Sequence, residues 1–174
     1  MIFVKRLIVR ELIVHPATHI TSDFDVQYPT ASATATACAM NLVFTADLLQ
    51  KRIATLLQPL HLTPASGLML SILANAESPL PPNEIANRLI ISRATVTGLL
   101  DSLERRAYIR RRPHPSDRRM ILAEITETGR QAASVFRPIV HQQEKEWFGV
   151  LDETEQQQLL VVLHRVQERL RDDG

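Results

Sequence analysis

A disulfide framework is excluded at the outset. The 174-residue chain holds one cysteine, Cys38, and a lone thiol suits a reducing compartment. Aromatic residues make up only 5%, so the core has to be aliphatic, as in Leu/Ile/Val helical packing. No apolar run approaches the roughly 20 residues of a membrane helix. The N-terminal stretch MIFVKRLIVREL is broken by Lys5, Arg6, Arg10 and Glu11 and so lacks the apolar segment of a signal peptide. A cytoplasmic protein with no membrane partner is expected. Catalytic signatures are missing too: there is no G-x-G-x-x-G, P-loop, H-E-x-x-H or G-x-S-x-G, and the histidines are scattered, so no enzyme and no cofactor are expected. His141 and Glu144 stand at i, i+3, but two ligands without a Cys or His cluster do not make a metal site, and none is expected.

Length and composition allow one domain, or one domain with an accessory layer, with an ordinary soluble balance of 45% hydrophobic and 22% charged residues. Net charge is +1, which hides a strong asymmetry. From Arg88 to Arg119 nine arginines stand against Asp101, Glu104 and Asp117, so that window is +6 and the remainder −5. None of the nine is a lysine, and guanidinium suits bidentate phosphate or guanine contacts and a narrow minor groove. A basic footprint on an acidic body is what DNA phosphates require.

The stretch from Ser92 to Thr126 organises the chain. Ser92 is a good N-cap, and Val96, Leu99, Leu100 and Leu103 recur at helical spacing as one apolar stripe. The other face carries Arg93, Ala94, Thr95, Thr97, Gly98 and Asp101, small or polar side chains that can lie close against a partner surface. Tyr108–Arg112 and Arg119–Ile125 then read as two strands around the turn residues Pro113, His114, Pro115, Ser116 and Asp117. Upstream, Leu42, Leu49, Ile53, Leu56 and Leu60 predict a long amphipathic helix. Thr63-Pro64 opens another helix, Asn75–Pro82 reads as a loop, and Pro82 opens a short helix that turns sharply at Ile90-Ile91. Short helix, tight turn and second helix make a helix-turn-helix, and the basic ribbon makes it winged. Thr126 caps a helix to about Phe148, and Asp152 caps a last one in which Leu159, Leu163, Val166 and Leu170 are spaced 4, 3 and 4. Such a seam, with the long first helix, points to an inter-subunit layer.

These residues resemble the MarR family of winged-helix transcriptional regulators over about residues 40–171. The resemblance rests on LTPASGLMLSILA, on the run from Pro81 to Arg130, on Asp117-Arg118-Arg119 followed by Ile125-Thr126-Glu127-Thr128-Gly129, and on the terminal leucine seam. It implies a mainly α fold with a small β-wing and a homodimer in which the first and last helices interlock. Residues 63–126 would form the DNA-binding domain, 38–62 and 127–174 the dimerisation region, and 1–37 an N-terminal arm or linker, or residues ahead of a start at Met40. Dimerisation would use Leu42, Leu49, Leu159, Leu163, Val166 and Leu170. Ser92, Arg93, Ala94, Thr95, Thr97 and Gly98 would enter the major groove of double-stranded DNA, with Arg93 and Thr97 on base edges. Arg112, His114, Ser116, Arg118 and Arg119 on the wing would serve phosphate or the minor groove. Asp117 is expected to orient Arg119 rather than touch DNA, since an acid among arginines repels phosphate. Ala107 stands where the family usually has glycine, and a left-handed Ala there would cost about 1 kcal/mol.

The expected function is therefore a ligand-releasable repressor reading a pseudo-palindrome, its recognition helices about one turn, ~34 Å, apart. A small aromatic or lipophilic effector would sit near Met40, Met69 and Leu73, by the habit of ligands to bind at domain junctions. Two other readings stay open. A winged helix can pack on another protein, which arginines paired internally would favour over arginines lining one face. Cys38 could act as a redox switch, though it sits among Ala, Thr and Met rather than cations, so an inert buried thiol is the simpler expectation. An accessory domain of an enzyme would need catalytic motifs that are missing.

Overall fold

The computed structural model describes residues 20, 21, 23–117 and 119–172. The helix weakly suggested by Val4, Ile8 and Leu12, the side chain of Arg118 and most of the N-terminal extension lie outside the described residues. The chain divides into two compact units, Met1–Thr55 and Leu56–Gly174.

In the first unit a single turn, α1 (Phe24–Gln27), precedes the long helix α2 (Ala33–Leu57), whose last two residues belong to the second unit. Ser32 starts α2 by accepting the Ala35 N–H at 3.2 Å. The Ala/Thr run is thus helix from Ala33 on, and a boundary at residue 37 would cut through it. Ala37 is buried in this helix and Cys38 is exposed, which corrects the expectation of a buried thiol. Helical rotation of ~100° per residue separates the two neighbours.

The second unit is built on capped helices. Thr63 accepts the Ser66 N–H at 3.1 Å to start α3 (Pro64–Asn75), with Pro64 at the first position. Helix α4 (Pro82–Leu89) ends where Ile90 turns left-handed at φ 56°. Ser92 accepts the Thr95 N–H at 3.1 Å and opens α5 (Arg93–Arg105). Ala107 then turns left-handed at φ 57°, the strained option open to it. The Thr126 hydroxyl donates to its carbonyl at 2.6 Å and accepts the Gly129 N–H at 3.0 Å, so one residue ties the turn to the start of α6 (Glu127–Phe148). Gly129 is obligatory there: a Cβ would stand 2.0 Å from the Tyr108 carbonyl oxygen. Asp152 and Glu155 satisfy each other's backbone amides at 2.9 Å, a capping box opening α7 (Glu153–Asp172).

Strands β1 (Ile109–Pro113) and β2 (Ile121–Ile125) pair antiparallel, Ile109 opposite Ile125 and Pro113 opposite Ile121. The second strand starts later than sequence suggested, because the turn extends to Met120, whose carbonyl accepts the His114 N–H at 2.9 Å. Leu80, in the segment read as a loop, exchanges two backbone hydrogen bonds with Ala123, at 2.9 and 2.8 Å, and so anchors the ribbon's base. The core beneath is aliphatic, as the aromatic scarcity requires. Met69, Leu70 and Leu73 of α3 are buried with Ile85, Val96, Leu100, Leu103, Ile109 and Ile125, and α6 adds Ala132, Ala133, Phe136 and Val140. Among the described residues no single helix is long and apolar enough to cross a membrane.

Candidate nucleic-acid interface

Helix α5 sorts its residues as its period dictates. Val96, Leu100 and Leu103 are buried, whereas Ser92, Arg93, Ala94, Thr95, Thr97 and Gly98 are all exposed. Three exposed hydroxyls are engaged locally: Ser92 and Thr95 pair with each other at 2.8 Å, and Thr97 donates to the Arg93 carbonyl at 3.1 Å. Gly98 has open space around it, with no atom within 4 Å of an added Cβ. Packing within the chain therefore gives no reason for glycine at a position where it weakens the helix.

The ribbon arginines divide by strand alternation. Arg110 and Arg112 share Glu124 on the neighbouring strand, at 2.7 and 3.1 Å. The hydrogen bond from Arg110 holds the Glu124 carboxyl below the usual carboxylate range and raises the Arg110 guanidinium in return. Arg111 joins Asp101 at 2.6 Å and Glu104 at 2.9 Å on α5. Arg88 pairs with Glu84. Arg112, expected to meet DNA, is thus half-engaged by an acid of its own chain. Arg93, Arg105, Arg106 and Arg119 form no ion pair with the described residues, and all four are exposed.

At the tip, Asp117 does hold Arg119, but the geometry corrects the manner: its carboxylate accepts the Arg119 backbone N–H at 3.0 Å, as in an Asx turn. His114 also has a local duty that composition did not reveal. Its Nδ1 accepts the backbone N–H groups of Ser116 and Asp117 at 3.2 and 3.3 Å and meets the Ser116 hydroxyl at 3.1 Å. The sequence reading missed Glu124 and the duty of Arg111. Period-two alternation along Ile109, Arg110, Arg111 and Arg112 was the available signal, since it puts Arg111 on the side of buried Ile109.

Other candidates separate. Met69 and Leu73 are core residues, 0% and 2% exposed, and correct the pocket expectation because they present no open wall. The crevice that touches Leu73 measures about 40 Å³, too small for an aromatic acid. Met40 lies in the first unit, half-buried. His141 and Glu144 pair with each other at 2.9 Å, and among the described residues no cluster of three or more metal-type ligands forms. Leu159 and Leu163 are half-exposed, Leu42 and Val166 are 42% and 41% exposed, and Leu170 is 66% exposed. Leu49 is half-buried.

A capped helix with an exposed polar face, preceded by a short helix and followed by a basic two-stranded ribbon, defines a winged helix-turn-helix protein. Residues 62–121 match the MarR family model, so over the winged-helix segment this chain is similar to that family. The HTH-type transcriptional repressor YetL of Bacillus subtilis is 42% identical over 59 residues, covering 34% of this chain and 35% of that one. The chain spans about half the length or less of the curated relatives it matches. Those relatives are described as transcriptional regulators rather than enzymes. In fold it is similar to MepR of Staphylococcus aureus, solved as a DNA complex, with TM-score 0.72, 23% identity, and 75% and 96% of the two chains covered. It is likewise similar to CouR of Rhodococcus jostii RHA1, solved with p-coumaroyl-CoA, with TM-score 0.68, 22% identity, and 74% and 90% covered.

Proposed function

We propose that this chain is a sequence-specific DNA-binding transcriptional regulator, a repressor that acts in the cytoplasm as a homodimer on a pseudo-palindromic operator. One observation carries the reading: the exposed face of α5 is small and polar, with Arg93 at its start and an unobstructed Gly98 at its centre. A notch of that kind lets a helix backbone approach base edges in the major groove. Exposed Arg93 and Arg119, without an ion pair among the described residues, supply cations at the helix start and at the wing tip. MepR, bound to DNA in the solved complex, supports the same use. The exposed apolar side chains along α7, Val166 and Leu170 among them, support pairing with a second copy. The p-coumaroyl-CoA bound to CouR supports an aromatic or lipophilic effector for this chain, at a site other than Met69 and Leu73.

A second reading has its own observation. Arg110, Arg111 and Arg112 are paired with acids of the same chain, which lowers the positive charge the ribbon offers and favours a winged helix that packs on protein. Enrichment of genomic fragments by the purified chain at two salt concentrations separates the two. A short inverted repeat that persists at higher salt is expected. Retention of every sequence alike, lost with salt, would leave only a basic surface and overturn the regulator.

A further inference from the structure

Among the described arginines of the basic window, Arg111 has the surroundings that least suit a phosphate contact. Its side chain is 25% exposed, against 65% for Arg110 and 47% for Arg112. Its Nη1 donates to Glu104 Oε2 at 2.9 Å, its Nη2 to Asp101 Oδ1 at 2.6 Å and to the Thr97 carbonyl at 3.4 Å. Its own backbone N–H donates to the other Glu104 oxygen at 3.0 Å. Thr97, Asp101 and Glu104 lie at i, i+4 and i+7, so one guanidinium spans two turns of α5. Two carboxylates around one cation leave no positive charge for a ligand there. Charge-assisted bonds in this fork geometry fix orientation as well as distance, which a lysine ammonium could not do.

The elements so joined are the ones that carry the DNA contacts of the proposed function, on which this inference rests. The Leu80–Ala123 bridge, the Thr126–Ala107 bond and the Tyr108–Leu103 backbone bond hold the ribbon's base, and its Ile109, Leu122 and Ile125 are buried. Arg111 adds a polar tie to α5 from the middle of β1. We propose that Arg111 is a positioning residue: it sets the wing against the recognition helix so that both grooves are engaged at once, and touches no DNA itself. A contact constellation held this way avoids ordering its parts on binding.

The test uses the full chain on an operator obtained by fragment enrichment, with hydroxyl-radical footprints, salt-dependent titrations and thermal melts for Arg111→Met, Arg111→Lys and Asp101→Asn. A wild-type chain that protects no specific sequence refutes the proposed function and leaves Arg111 with nothing to position. Given wild-type protection, Arg111→Met is expected to bind about tenfold more weakly. It should keep the central protection of the recognition helix and lose the flanking protection of the wing, and Arg111→Lys should not restore it. Asp101→Asn, which leaves the Glu104 pair, provides a gentler variant should Arg111→Met fail to fold, and it gives a test of sign. A positioning role predicts weakened flanks despite the removal of a negative charge. Tighter binding with intact flanks would mean that a freed Arg111 contacts phosphate, and would overturn the proposal. Loss at centre and flanks in proportion to the fall in melting temperature would reduce Arg111 to a stability role and overturn it equally.

Discussion

Among the described residues three outside glycine adopt positive φ, namely His61, Ile90 and Ala107, and they do not weigh alike. Histidine tolerates this region and alanine carries only a methyl group, whereas a β-branched side chain is a real outlier. Ile90 is also 59% exposed, so its packing returns little. Ile90→Gly and Ala107→Gly should each raise stability by about 1 kcal/mol, read as a higher denaturation midpoint at unchanged slope. Gly98 poses the opposite case. With open space around it, Gly98→Ala should stabilise α5 by about 0.5–1 kcal/mol and at the same time weaken operator binding. A more stable variant with unaltered affinity would mean that the notch approaches nothing. Arg93 and Arg119 differ by place: Arg93→Ala should relax specificity at one base pair. Arg119→Ala should weaken all sequences alike and reduce the salt slope by about 1. Equal specificity loss in the two titrations would refute that division.

At the scale of the element, the wing is a ribbon whose charges are partly spent on itself. Glu124 sits between Arg110 and Arg112, and it limits what the outer face can offer to phosphate. Glu124→Gln should therefore tighten non-specific DNA binding and steepen its salt dependence, as a titration on random duplex would record. The pH dependence follows from the direction of its shift. The folded-state carboxyl lies below its ordinary value of 4.5, chiefly through the Arg110 hydrogen bond. Its contribution is then present above that ordinary value and fades as pH falls through the lower folded one. A carboxyl chemical-shift titration should place the Glu124 midpoint below the ordinary value of 4.5. A midpoint at or above that value would show that the pair does not persist in solution.

At the scale of the whole molecule, the proposed homodimer turns on α7. It buries none of its residues, although Leu159, Leu163, Val166 and Leu170 recur along one side of it. Isolated exposed leucines are ordinary, but a helix-long apolar stripe without cover is not. Leu163→Glu should leave the winged-helix unit folded and shift the chain to a monomer in sedimentation. It should also abolish tight binding to an inverted repeat while a single half-site is still bound weakly. A wild-type chain that sediments as a monomer at micromolar concentration would sink the homodimer.

Local order was legible in the sequence because its causes are local. Thr63, Ser92, Thr126 and Asp152 cap helices in the structure as their side chains predict, and the apolar stripe of α5 faces the core because a period of 3.6 admits no other arrangement. The winged helix-turn-helix followed from that order of elements. What the sequence could not supply was the pairing of charges. Nine arginines in one window read as one footprint, yet a cation's role depends on which acid stands within about 4 Å, and that is set across strands and between helix and ribbon. Glu124 reaches Arg110 from 14 residues away, and Arg111 reaches Asp101 from 10. Burial followed the same rule: Met69 and Leu73 looked available to a ligand until the packing of α3 against α6 and β2 enclosed them. Capping and periodicity are settled within a turn or two of chain, whereas the destination of each charge and the openness of each apolar side chain depend on contacts that exist only once the elements have packed.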